Sequence, residues 1–328
     1  MGGNLFATPK INHEKYLHLI SFFKSKFEEL GRDVRFPESY KGKRLHGDLD
    51  IILGGEVIPA EELQKIFNLK ENEVSRNTSV ISILYDGAQV DLAFHPLEDF
   101  ESAYNYYRNS DAGNLMGVMF KKLSLKFGAK GLSFPVKLGD AEKLGEVLIS
   151  KNIKEILEFG GFDYNKWKAG FETPEELYEW ITQSKFFNRE FFAFEALSHQ
   201  NRIRNRKRPG YAGFLVWLED RKFSNPFEPA KNKSEYLFQS LVHFGNFTAL
   251  EQINNLLFEY RRRKDANKLF NGGLLLEWTG LTGKDLGRVM AGFRENLGLL
   301  EEKPWVDWRL SKSAEEIKES FLDFYENS

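Results

Sequence analysis

The chain contains no cysteine, which excludes disulfides, thiolate metal sites and cysteine nucleophiles together. Any metal it holds must sit on oxygen or imidazole. Its six histidines show neither HxxxH nor HxH spacing, so none is needed as a metal ligand. Also missing are a Gly-x-Ser-x-Gly elbow, a Walker A loop and a Rossmann glycine pattern, which leaves hydrolase, ATPase and dehydrogenase readings without support. No run approaches the roughly 18 apolar residues that a membrane-spanning helix needs. Residues 1–6 are too short for a secretory signal, and the expectation is a cytoplasmic protein. Net charge is only -2, so neither sign dominates the chain as a whole.

What is present is a globular composition of 41% hydrophobic and 29% charged residues over 328 positions, the length of about two domains. Tyr16, Leu19, Ile20, Phe23 and Phe27 recur at helical spacing, with Gly31 as a stop. Residues 33–36 read as extended, Leu49, Ile51, Ile52 and Leu53 as an apolar strand, and 60–67 as a short helix. Residues 79–84 and 88–94 are β-rich and flank Asp86-Gly87, a two-residue hairpin signal. After His95-Pro96 the pattern reads as mostly helical to the end, beginning with 100–107, 114–127, 151–159 and 174–183. The fold class expected is α+β in front and α-rich behind, with a soft boundary near Gly170. Thirty phenylalanines point first to aromatic helix packing and second to base-stacking surfaces.

Residues i and i+2 of a strand share a face, their Cα atoms about 6.5 to 7 Å apart, so Asp48 and Asp50 project together and can share a cation. Asp91, on a neighbouring strand beyond the hairpin, adds a third carboxylate, and such an all-oxygen set suits Mg²⁺ or Mn²⁺. Two ions about 3.5 to 4 Å apart could activate a 3′-hydroxyl and stabilise departing pyrophosphate during in-line attack on an α-phosphate. In that scheme Asp48 and Asp50 bridge both ions, while Asp91 serves the catalytic one and accepts or relays the proton. The bland alternative is a solvated Asp-x-Asp face with Asp91 a coincidence. Against it, the motif opens an apolar strand, where three unpaired carboxylates on one side would repel.

At this point the sequence resembles the DNA polymerase beta superfamily, closest to the family X polymerases. Glu38-Ser39-Tyr40-Lys41-Gly42-Lys43 followed by Gly47-Asp48-Leu49-Asp50 is similar to that family's Gly-Ser-Phe-Arg-Arg-Gly loop and Gly-Asp-x-Asp strand. Val90-Asp91-Leu92 resembles the strand of the third aspartate. The run Tyr106-Tyr107-Arg108-Asn109-Ser110, with Asn114 beyond, resembles the Tyr-Phe-Thr-Gly-Ser segment and its trailing Asn. The similarity covers roughly residues 15–165. It implies a polymerase-beta-type palm in a nucleotidyltransferase domain of residues 1–170, with catalytic and metal-binding Asp48, Asp50 and Asp91 beside Gly47. It further implies that Ser39 and Lys41 contact the incoming triphosphate, Tyr106 and Tyr107 the sugar, and Asn114 the base edge. For the two tyrosines, packing of a helix end into the core is the competing reading for at least one. The chain departs from the family pattern at Glu38, which replaces a glycine, and at Arg108-Asn109, which replaces Thr-Gly.

Residues 171–328 are expected to form an α-helical nucleic-acid-binding domain. Arg202, Arg204, Arg206, Lys207 and Arg208 form a basic tract whose side chains, if helical, spread over several faces, a charge distribution that a phosphate backbone would neutralise. An Arg-rich loop salt-bridged to an acidic helix is the alternative. A second cluster runs from Arg261 to Lys264, and 270–287 faintly resembles CCA-adding tRNA nucleotidyltransferases and poly(A) polymerases. His46 borders the carboxylate strand within reach of a phosphate, and a solvated loop position is expected for it. Gly2-Gly3-Asn4 is either a phosphate-approaching turn or a flexible terminus. The activity implied is transfer of a nucleotide from an NTP or dNTP to a nucleic acid 3′-hydroxyl, most simply as a family X-like DNA polymerase. An RNA or tRNA 3′-end enzyme, a degenerate palm that only binds nucleic acid, and a modifier that nucleotidylates protein are the alternatives.

Overall fold

The computed structural model describes residues 5–77, 80–138, 142–224 and 226–328. The Gly2-Gly3-Asn4 turn and the start of the strand expected at 79–84 lie outside the described residues. Two compact units divide the chain, the first made of 1–135 and 146–249, the second of 136–145 and 250–328. The helices between residue 170 and Ala249 thus belong to the first unit.

That unit opens with β1 (Ile11–Asn12), α1 (His13–Glu29), β2 (Val34–Arg35), β3 (Leu45–His46), β4 (Leu49–Gly54), α2 (Ala60–Phe67), β5 (Val74–Asn77), β6 (Val80–Tyr85) and β7 (Ala88–His95). The Asn12 side chain caps α1 by accepting from the Lys15 N–H at 2.8 Å, and Gly31 leaves the helix at φ 66°. Five strands make a mixed sheet in the order β2-β4-β7-β6-β5, with β4 and β7 parallel and the other neighbours antiparallel. Asp86 and Gly87 both take positive φ between β6 and β7, as a two-residue hairpin turn requires. Period-two alternation then sorts β4: Leu49, Ile51 and Leu53 bury one face with Phe23 and Phe27 of α1. Ile52 and Ala93 bury the opposite face with Phe100 and Ala103 of α3 (Leu97–Tyr107). Asp50 falls on that second face, two residues before Ile52.

The architecture is α+β, but helix does not run on unbroken after His95. α4 (Ala112–Lys122) stops before the expected 127, and β8 (Lys126–Gly128), β9 (Gly131–Leu138) and β10 (Glu142–Ser150) form a three-stranded sheet. The turn after α4 takes Ser124 through φ 59°, and Leu132, Phe134, Val136 and Leu138 alternate with other residues along β9. Gly131, at φ 98°, lies so close to the Ser150 carbonyl that a Cβ would overlap it. Beyond the sheet, α5 (Ile153–Gly160), α6 (Tyr164–Ala169), α7 (Pro174–Thr182), α8 (His199–Arg206), α9 (Pro209–Glu219) and α10 (Ser234–Phe244) follow. Phe120, Trp180, Phe192, Tyr211 and Phe214 are fully buried among them, the aromatic helix packing that the composition predicts.

The second unit carries most of α11 (Thr248–Leu269), then α12 (Gly272–Thr279), α13 (Gly283–Asn296), α14 (Glu302–Leu310) and α15 (Ala314–Glu326). Phe270, Phe293, Trp305 and Phe321 form its centre. Its basic cluster is partly neutralised internally, Arg262 by Asp307 and Arg263 by Glu302. Among the described residues no helix is long and apolar enough to cross a membrane.

Candidate active site

The parallel register of β4 on β7 sets Asp50 directly beside Asp91. Asp48, two residues back, projects to the same side. Carboxylate oxygens of all three lie within 4.8 Å of one another. β6 contributes from the far side of β7: Ser82, the cross-strand neighbour of Asp91, donates its hydroxyl to Asp91 Oδ1 at 2.7 Å. Gln89, two residues before Asp91, donates Nε2–H to the same oxygen at 3.0 Å. Asp91 is wholly buried, which sets aside the solvated-face alternative for this residue. Burial raises the Asp48 pKa above the ordinary carboxylate value, and the charges of Asp50 and Asp91 raise it further. A divalent cation fits this donor set, because it would neutralise repulsion between carboxylates that the fold has already desolvated.

A cavity of about 730 Å³ opens over Asp48 and Asp50, within the size range of small-molecule sites. Ser39, Gly47, Tyr106, Tyr107 and Asn114 all line it, so most of the residues singled out in sequence come together there. Burial raises the Tyr107 pKa most, followed by Tyr106; Arg204 and Arg208 oppose the rise and Asp50 adds to it. Tyr106 also packs its ring edge-on against Phe127 at 5.3 Å, partly answering to the core-packing reading. Asn114 donates to Asn205 Oδ1 at 3.2 Å. Lys41 is not in the lining. Its ammonium pairs with Glu172 at 3.0 Å and its N–H with the Phe171 carbonyl, whereas Lys43 does line the cavity. Of the basic tract, Arg204, Lys207 and Arg208 line it and Arg202 and Arg206 do not.

His46 corrects the expectation of a solvated loop residue. It pairs with Ile11 where β3 meets β1 and is 1% exposed. Its ring stacks on Tyr16 with centroids 3.7 Å apart, and its Nε2 lies 3.1 Å from His13 Nδ1. Burial, then Lys43 and His13, push its pKa down to about 4, so it is neutral at neutral pH. Two short strands, not a loop, carry it, and two-residue strands leave no periodicity to find.

Glu38, Arg108 and Asn109 pack on one another. Glu38 accepts from Arg108 across an ion pair of 2.6 Å, and the backbone of Glu38 bridges that of Asn109. Arg108 also donates to the Lys168 carbonyl at 3.0 Å and lies over the Trp167 ring at 4.9 Å. Asn109 is buried and donates to the Trp167 carbonyl at 2.9 Å. Ser82, Gln89 and Asp111 are further site residues that the sequence reading missed. Gln89, a long polar side chain two residues from Asp91 in an apolar strand, was the available signal.

Comparison with known proteins finds no protein-family model that matches the chain, and no curated protein matches it in sequence.

Proposed function

We propose that this chain is a metal-dependent nucleotidyltransferase with a palm of the DNA polymerase beta type, joining a nucleotide from an NTP or dNTP to a nucleic acid 3′-hydroxyl with release of pyrophosphate. The observation that carries the reading is the side-by-side placement of Asp50 and Asp91 on parallel strands, with Asp48 on the same face and a nucleotide-sized cavity above. Asp48, Asp50 and Asp91 would hold two Mg²⁺ or Mn²⁺ ions, which supply Lewis acidity at phosphoryl oxygens and lower the pKa of the acceptor hydroxyl.

The chain's own residues do the rest. Ser82 and Gln89 hold Asp91 in one orientation, which suits the carboxylate assigned to accept or relay the hydroxyl proton. Tyr106, Tyr107 and Asn114 line the side of the cavity assigned to sugar and base. Ser39 remains the hydroxyl available to a phosphate, and Lys43 takes the phosphate role that the resemblance implies for Lys41, because Lys41 is engaged by Glu172. Arg108 and Asn109 serve the loop architecture instead of the sugar, since both are bonded to Glu38 and the 167–168 backbone.

The acceptor proposed is DNA, as in family X. The test is a primer panel of templated DNA, single-stranded DNA and tRNA, each with labelled NTPs and dNTPs and with Mg²⁺ or Mn²⁺. A template-dependent ladder is the expected product. A fixed short addition to tRNA assigns the acceptor to RNA, and labelled protein in the absence of extension makes the chain a protein modifier.

A further inference from the structure

The cavity lining carries both signs of charge. Asp48 and Asp50 line it, as do Arg204 in α8 and Lys207 and Arg208 between α8 and α9. Arg204 and Lys207 are exposed and make no ion pair among the described residues. Arg208 pairs with Asp111 Oδ1 at 3.2 Å.

Asp111 itself sits where an anion belongs. α9 begins with Pro209 at its first turn and has no side-chain cap. The Asp111 carboxylate packs against Gly210, so closely that a Cβ there would overlap it. A carboxylate thus lies at the amino end of an 11-residue helix and on a guanidinium, the combination that binds phosphate. Asp111, Arg208 and Gly210 all line the cavity, so the pair borders the same space as Arg204 and Lys207.

Resting on the nucleotidyltransferase reading above, we infer that Arg204 and Lys207 hold the phosphate tail of the incoming nucleotide, and that this tail takes Arg208 over from Asp111. A triphosphate brings a reacting phosphate to the metal-holding carboxylates and further phosphates to cations, and the lining offers both kinds of group. An acceptor strand would draw on the tract as a whole, yet Arg202 and Arg206 lie outside the lining. The cavity's volume is that of one small ligand, not of an extended strand.

The probe is inorganic tripolyphosphate, titrated calorimetrically without divalent metal into the full chain, with a short single-stranded oligonucleotide in a parallel arm. Wild type binds tripolyphosphate, and R204Q/K207Q binds it at least about tenfold more weakly. R204K/K207R retains binding, which separates lost charge from lost fold, and Asp111→Asn tightens binding several-fold by releasing Arg208. Unchanged tripolyphosphate affinity in R204Q/K207Q overturns the inference, as does loss confined to the oligonucleotide arm. A protein that binds tripolyphosphate through these residues yet extends no primer overturns the proposed function and not this site.

Discussion

Glu38 and Arg108 are joined by an ion pair of 2.6 Å that ties the loop ahead of the carboxylate strand to the end of α3. Both stand where the resemblance proposed to family X breaks, and they bond to each other. An acid in place of a loop glycine brings its own counter-ion, and the cation replaces a residue that the resemblance would place near the sugar.

From this pairing, Arg108→Ala should destabilise the first unit, because it leaves Glu38 without its cation and removes the stacking on Trp167. A double-mutant cycle with Glu38→Gln, followed by urea denaturation, should return a coupling of about 1 to 3 kcal/mol. Additive effects of the two changes would contradict a functional link between these positions.

Ser82 bears on the candidate metal site through Asp91. Ser82→Ala removes the 2.7 Å hydrogen bond that orients the carboxylate and should weaken Mn²⁺ binding about 10- to 100-fold, the usual range for outer-shell partners. Asp91→Asn should weaken it further. Calorimetric titration of Mn²⁺ reads both, and wild-type affinity in Ser82→Ala would show that the hydroxyl has no orienting role.

His95, at the end of β7, supplies a pH dependence. Burial lowers its pKa below the ordinary 6.5, Asp99 pulls the other way, and its Nε2 has no hydrogen-bond partner among the described residues. The ring of Tyr107 lies 6.0 Å away. As pH falls, the unfolded chain takes the proton first, so the stability this group contributes is present above pH 6.5 and is lost as pH drops through the folded value. Between about pH 8 and about pH 5 the wild-type melting temperature should fall more steeply than that of His95→Gln. Parallel curves would reject the assignment.

Gly210→Ala tests how closely Asp111 packs on the start of α9. A methyl there overlaps the Asp111 carboxylate and pushes it from Arg208, at a cost of about 1 to 3 kcal/mol by urea denaturation. Unaltered stability would mean that the corner yields freely.

What could be read beforehand follows the physics of each feature. β4, the Asp86-Gly87 hairpin and the three aspartates were legible, because strand alternation and a two-residue turn are local. The direct pairing of Asp50 with Asp91 was not, since it depends on β7 landing parallel beside β4 after the whole of 55–87 has crossed. Lys41 and Lys43 are indistinguishable in sequence, and only the distant Glu172 removes one of them from the cavity. The strands between 126 and 150 were hidden because Lys126 to Gly128 is too short to break a helical pattern, and Gly131 shows its purpose only against Ser150. The basic tract was plain, but which of its charges reach the cavity depends on the faces of α8 and on the turn after it, and only Arg204, Lys207 and Arg208 do.

The central claim is that Asp50, held beside Asp91, supports metal-dependent transfer of a nucleotide. It is tested most directly by measuring pyrophosphate release alongside incorporation of α-labelled nucleotide into a 3′-hydroxyl primer, for wild type and Asp50→Asn. One pyrophosphate is expected per nucleotide joined, with abolition by chelator and a rate in Asp50→Asn lower by at least about a thousandfold, the loss of roughly 4 kcal/mol of transition-state stabilisation. Transfer at the wild-type rate by Asp50→Asn, or transfer that persists in chelator, would contradict it.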